Sequence, residues 1–353
     1  MGDRKPEKQL FYNLDAMRGV AAIAVACMHL AAMTQWTSQW FSGAYLAVDL
    51  FFIMSGVVIA HAYDNRLKSG MNVGEFVWAR IVRLYPLYFL GSLYGIGRAV
   101  KGLNLDNYSD TLSSVFFSLF MLPNPLLPSG ELYTFNGPSW SLFFEIAVNI
   151  AFAMTFFFPR VFAVVATVSI VGLLSAAIAG TSLNNGHDWE TFWVGSLRVC
   201  FGFPIGVFIY RLWKADRPPI VRIPPFVILA IIAASFLVVS DGPKGALAAV
   251  LTIVFVYVPL VFLALNNPHS GRSACEFLGK ISYPLYMVHI PIFTVCMKIS
   301  DHYPVSKILL APGSVAAAII CAWLVDKYYD EPARKLLSSL SRQLRMVPAF
   351  SKR

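Results

Sequence analysis

The sequence predicts an all-α fold: a polytopic membrane helix bundle of about ten transmembrane helices with both termini cytoplasmic. Three observations carry that prediction. Hydrophobic residues make up 57% of the 353 and charged residues only 13%, with a mean hydropathy of +0.63, a composition foreign to a soluble globule. Apolar runs of about 20 residues recur along the chain, each the length of one bilayer crossing. Lys and Arg collect in alternate loops, the asymmetry that orients membrane helices.

A hydropathy reading places spans at 14–34, 44–63, 84–100, 139–158, 161–180, 192–213, 226–240, 245–264, 281–299 and 308–326. A polar leader, 1–13, precedes them without a signal-peptide cleavage site, and a basic amphipathic tail, 327–353, reads as an interfacial cytoplasmic helix. Residues 111–122 are short for a crossing and leave the span count open. If they do not cross, 21 of the 28 Lys and Arg fall on the side of the termini. If they do, the basic loop 211–225 flips outward and the asymmetry weakens. Ten spans therefore fit best. With 123–138, rich in Pro and Gly, the segment 111–122 is expected to form a re-entrant element or outer lid. The segment 214–225 reads as a rigid cytoplasmic connection. The net charge of +9 lies between spans, where topology rather than nucleic acid explains it. The five Cys lack metal-ligand spacing, so no metal is expected.

The membrane region, 14–326, carries ionisable groups that cost several kcal/mol each if left facing lipid. In the first span, LDAMRGVAAIAVACMHL, Arg18 and His29 are eleven residues apart. That puts them on nearly one helix face, roughly 16 Å apart. They form part of a site, or Asp15 and Arg18 pair at the interface while His29 satisfies a backbone carbonyl. Asp49 in the second span is expected to face protein, and Ser55-Gly56 to be a small-residue packing spot. Arg80 and Arg83, three apart before the third span, read either as a fork for phosphates or as interfacial anchors. Ser141, Glu145 and Asn149 recur at i, i+4 and i+8 as one polar stripe. Glu145 needs a facing donor, with His29, Arg18 and Arg198 as candidates. Arg198 needs a carboxylate or carbonyls that the sequence does not name. Ser282, Tyr286 and His289 share another face, and His289 either joins a site or bonds across helices.

Five segments in order resemble the membrane acyltransferase-3 family: LDAMRGVAAIAVACMHL, VDLFFIMSG, RIVRLYPLY, PSWSLFFE and ISYPLYMVHIP. The resemblance covers essentially the whole chain. It implies a multi-pass O-acyltransferase of a bacterial inner membrane, with no bound cofactor. Its co-substrate would be acyl-CoA, acetyl-CoA by default, and its acceptor a hydroxyl of a carbohydrate or glycolipid. His29 would act as general base or acyl relay, and Glu145 as its orienter or charge partner. Arg18, Arg80 and Arg83 would hold the coenzyme A phosphates. Asp15, Asp49, Ser141, Asn149, Arg198, Tyr286 and His289 would support the site. Some relatives append a soluble esterase-like domain, and none is expected here after the last span. The rival reading is a transporter of a polar lipid or sugar whose pathway uses the same buried charges; no internal repeat favours it.

Overall fold

The computed structural model describes residues 11–34, 41–102, 108–216, 223–266, 272–303 and 307–346. Most of the expected leader, the connection at 217–222 and the end of the tail lie outside the described residues. The described chain is helical. In order the helices are α1 (Tyr12–Thr34), α2 (Ala47–Lys68), α3 (Val73–Lys101), α4 (Tyr108–Leu119), α5 (Ser139–Met154) and α6 (Pro159–Ile178). Then come α7 (Phe192–Asp216), α8 (Pro225–Val238), α9 (Pro243–Thr252), α10 (Val258–Asn266), α11 (Arg272–His302), α12 (Lys307–Val325) and α13 (Glu331–Met346). A 3₁₀ turn, Ser42–Leu46, leads into α2, and π turns join α9 to α10 and α12 to α13.

Among the described residues, six helical stretches are long and apolar enough to cross a membrane, and α5 and α8 are shorter apolar helices. The expected spans 84–100 and 281–299 occupy the C-terminal parts of α3 and α11. The ten expected spans overlap the helices, that at 139–158 running past the end of α5 and that at 245–264 covering α9, the π turn and α10. The loop expected at 64–83 is itself mostly helical. α2 runs to Lys68, and α3 starts at Val73 behind the Asn72 cap, whose Oδ1 accepts from the Glu75 backbone N–H at 2.9 Å. Arg80 and Arg83 therefore ride on a continuous helix into the bundle. On α6, Val161, Val164, Val168 and Val171 are exposed at helical spacing, an apolar stripe suited to lipid.

Two helix pairs position the site, and each runs parallel. α1 lies along α11: Gly19 faces Leu278 so tightly that a Cβ would collide with it, and His29 meets His289 further along. α2 lies along α7: a Cβ on Gly56 would strike the Phe203 carbonyl, and Asp49 and Asp64 meet Arg198 and Arg211. Small residues let backbones approach where no hydrophobic force separates helix from lipid. The Ser55-Gly56 packing spot is borne out at Gly56.

Pro291 in α11 has no N–H to give the Met287 carbonyl one turn back. Asn136 supplies the missing donor, its Nδ2 lying 3.0 Å from that carbonyl. The loop before α5 is thereby tied to the middle of α11. In α3, interrupted by Pro86, Tyr283 donates to the Leu84 carbonyl and Tyr329 to the Pro86 carbonyl at 3.2 Å. Side chains from α11 and the α12–α13 turn thus clamp the proline turn.

Candidate active site

Three cavities follow one another through the bundle. The innermost, about 850 Å³, is lined by charged residues of α1, α3, α11 and the α12–α13 region, including Arg18, Arg83, Lys280 and Arg334. Arg18 and Arg83 also line the next cavity, about 140 Å³, together with Arg80, Ser55, Glu145, Ser141 and Tyr286. Val48 and Tyr286 line both that cavity and the third. The third, about 730 Å³, holds His29 and is roofed by residues of the loop before α5. Glu131, Tyr133, Thr134 and Phe135 of that loop line it.

The middle cavity gathers the residues read as a phosphate site. Arg80 Nη2 donates to Glu145 Oε1 at 3.0 Å, and Ser55 Oγ donates to the same oxygen at 3.0 Å. Arg83 Nη1 reaches Asp330 Oδ2 at 3.4 Å, and Arg334 Nε reaches the same oxygen at 2.8 Å. Asp330 is fully buried. Arg18 stands 4.0 Å from Asp15, so the expected pairing of these two is present but loose. Three guanidinium groups converge here, and Arg18 is the least engaged of them.

The outer cavity combines aromatic walls with polar edges. Tyr45, Tyr94, Tyr133, Phe135 and Trp140 line it, with Arg98, Glu131, Asn184 and His187 among them. The Tyr45 and Tyr133 hydroxyls are buried with no hydrogen-bond partner among the described residues. Burial pushes the Tyr133 phenol up, so it stays a donor. His29 is half-buried on the wall, its Nδ1 2.9 Å from Nε2 of His289. His289 is fully buried and sits behind it.

At the junction, the Tyr286 and Ser141 hydroxyls are 2.8 Å apart, and Ser141 also donates to the Pro138 carbonyl at 3.1 Å. The pair ties α11 to the start of α5 where the two cavities meet.

The expectation that Glu145 partners His29 is not met. Glu145 lies in the middle cavity under Arg80, while His29 lies in the outer one. Arg80, on a helix that enters the bundle, takes the place of the three candidate donors His29, Arg18 and Arg198. Asp49 and Arg198 answer each other. Arg198 Nε and Nη2 reach the two Asp49 oxygens at 3.0 and 2.7 Å, and both side chains are fully buried. Arg198 Nη1 and Nη2 also donate to the carbonyls of Asn185 at 3.2 Å and Tyr45 at 3.0 Å. This pair lines none of the three cavities, but it braces the Tyr45 and Asn184–Asn185 backbone behind the outer wall. Asn149, below Glu145, is buried with neither amide atom partnered among the described residues.

Residues that sequence reasoning missed fall into two groups. Asp330 and Asp326 stand four apart at the edge of the basic tail, and acids at that spacing amid cations signal a paired face. Tyr45, Tyr94, Arg98, Glu131, Tyr133 and His187 lie at helix ends and in loops, where no periodicity marks a shared cavity.

The profile of the acyltransferase-3 family, described as an acyltransferase domain, matches residues 11–327. The chain is 38% identical over 168 residues to protein 2 of the picA locus of Rhizobium radiobacter, covering 43% of this chain and 85% of that protein. It is 26% identical over 298 residues to the exopolysaccharide production protein ExoZ of Rhizobium meliloti strain 1021, covering 82% and 88%. A protein of Staphylococcus aureus strain MRSA252, provisionally named an O-acetyltransferase, is 24% identical over 395 aligned positions. That alignment covers 96% of this chain and 60% of the relative. No solved structure matches the chain.

Proposed function

Because the chain belongs to the acyltransferase-3 family, we propose that it is an integral-membrane O-acyltransferase working across a bacterial inner membrane. It carries an acyl group, acetyl by default, from cytoplasmic acyl-CoA to a hydroxyl of a carbohydrate or glycolipid at the outer face. The observation that carries this reading is the series of cavities, with guanidinium groups among carboxylates at the inner end and an imidazole at the outer end. The names of two relatives, one for exopolysaccharide production and one for O-acetyl transfer, support the class of acceptor.

In this reading Arg18, Arg80 and Arg83 face the coenzyme A phosphates, for which planar guanidinium groups are well matched. Glu145 and Asp330 hold Arg80 and Arg83 in place and moderate their charge before the donor arrives. The pantetheine arm passes between Val48 and Tyr286 and brings the thioester to the outer cavity. His29 takes the proton of the acceptor hydroxyl as its oxygen attacks the thioester carbonyl. The new C–O bond forms, the C–S bond breaks, and the departing thiolate receives the proton from His29. Aromatic side chains around the outer cavity present apolar faces beside polar edges, the surface that a sugar ring packs on.

The test uses the purified full chain in liposomes loaded with labelled acetyl-CoA and offered candidate glycans outside. Label on the glycan is the expected result. Glycan crossing the bilayer without label would overturn the reading in favour of transport.

A further inference from the structure

We infer that His289 is a positioning residue that sets the tautomer of His29, leaving Nε2 of His29 as the free lone pair facing the outer cavity. The inference rests on the reading of His29 as the base. It starts from the α11 backbone. His289 Nδ1 lies 2.9 Å from the Leu285 carbonyl oxygen. A carbonyl can only accept, so Nδ1 of His289 carries a hydrogen. His289 is fully buried, flanked by Tyr286 and Phe293, and among the described residues no carboxylate pairs with either imidazole. A buried imidazolium without a counter-charge is costly, so His289 is neutral and its Nε2 holds a lone pair.

The next step is forced by the contact between the rings. His29 Nδ1 stands 2.9 Å from that lone pair, so it must donate. The ring planes differ by 18° and the centroids are 5.0 Å apart. That is close to the greatest separation a 2.9 Å N···N contact allows, so the rings meet edge to edge along the bond. A neutral imidazole has one N–H. With Nδ1 committed to His289, Nε2 of His29 is bare. His29 lines the outer cavity and His289 does not, so the bare nitrogen belongs to the ring that meets substrate. Asn136, bonded to the Met287 carbonyl at 3.0 Å, holds the proline-freed turn that carries His289.

A buried group fixing the far nitrogen of a catalytic imidazole is the role an aspartate plays in hydrolase triads. A neutral histidine fixes the tautomer but adds no negative charge to hold the imidazolium. The proton taken up by His29 passes on to the thiolate.

The experiment compares the full chain with His289→Leu and His289→Gln, each with ¹⁵N-labelled histidine in bilayers, His29 signals being assigned by loss in His29→Ala. The expected wild-type spectrum shows His29 protonated at Nδ1 and bare at Nε2. His289→Leu, which offers no acceptor, is expected to lose that preference. Its kcat for transfer should fall roughly 10²-fold or more, by the wrong-tautomer effect, with KM for acetyl-CoA little changed. His289→Gln, whose amide oxygen can accept at the same reach, is expected to restore the tautomer and most of kcat. A wild-type His29 protonated at Nε2 overturns the inference, as does a folded His289→Leu with wild-type kcat. If His289→Leu does not fold, the wild-type and His289→Gln spectra decide. A wild-type protein with the expected tautomer but no transfer to any glycan would instead remove the acyltransferase reading and leave the tautomer assignment standing.

Discussion

The two parallel helix seams use charge in opposite ways. Between α2 and α7, two ion pairs are closed: Asp49 grips Arg198 with both oxygens, and Asp64 grips Arg211 at 2.9 and 3.0 Å. Between α1 and α11, the polar groups are left with an open edge. Arg18 is only loosely held by Asp15, and His29 uses one nitrogen on His289 and turns the other to the cavity. Buried charge alone does not mark chemistry, since a fully satisfied pair is structure. The chemistry lies where a buried polar group has capacity left over and a cavity in front of it.

Breaking the open seam should cost activity and spare the fold. His29→Ala is expected to lower transfer about 10³-fold, the middle of the range for a general base, with normal protein levels in membranes. Labelled acetyl transfer to glycan in membrane vesicles measures it, and transfer at the wild-type rate would show that the open edge is not catalytic. Breaking the closed seam should do the reverse. Asp49→Ala strands a buried guanidinium and is expected to destabilise the fold by about 3–5 kcal/mol. The double variant Asp49→Leu with Arg198→Met should recover much of that loss, because removing both charges removes the desolvation penalty along with the pair. Thermal unfolding in detergent tests this. A double variant no more stable than Asp49→Ala would mean that Arg198 is needed for its bonds to Tyr45 and Asn185, not merely for charge balance.

The helices were legible because each span announces itself by length and apolarity, and loop charge sets their order across the bilayer. The seams were partly legible: Arg18 and His29 fall on one face by counting residues, and so do Tyr286 and His289. What counting cannot supply is which helix lies beside which. The partner of Arg198 depends on α2–α7 packing at Gly56 and the meeting of His29 with His289 on α1–α11 packing at Gly19, while the capture of Glu145 by Arg80 depends on α3 lying beside α5. Asn72 followed by Glu75 carries a helix-start signal, and the helix that begins there brings Arg80 to Glu145.

Arg18 sharpens the contrast on the open side. Its weak pairing leaves its charge available to a polyanionic donor, whereas Arg80 and Arg83 are already engaged. Arg18→Gln is therefore expected to raise KM for acetyl-CoA about tenfold, worth about 1.4 kcal/mol, with kcat less affected. Initial rates against donor concentration read this directly. If KM did not move, the donor phosphates would have to bind elsewhere than the face shared by the two inner cavities.

The smallest expected effect tests what makes the closed seam matter. Asp64 and Arg211 have the same bidentate geometry as Asp49 and Arg198, but the Arg211 side chain is 26% exposed where that of Arg198 is 1% exposed. Arg211 also lies over the Phe152 and Phe156 rings, with centroid distances of 6.0 and 5.4 Å, contacts that survive loss of its carboxylate. Water and the rings can therefore receive the guanidinium when Asp64 is neutralised. Asp64→Asn should cost about 1 kcal/mol, well short of Asp49→Ala, in the same thermal unfolding series. Equal losses would mean that geometry rather than depth sets the value of these pairs. The distinction between closed and open seams would then have to be drawn from cavity contact alone, since the α2–α7 pairs would be equally strong at every level of the bundle.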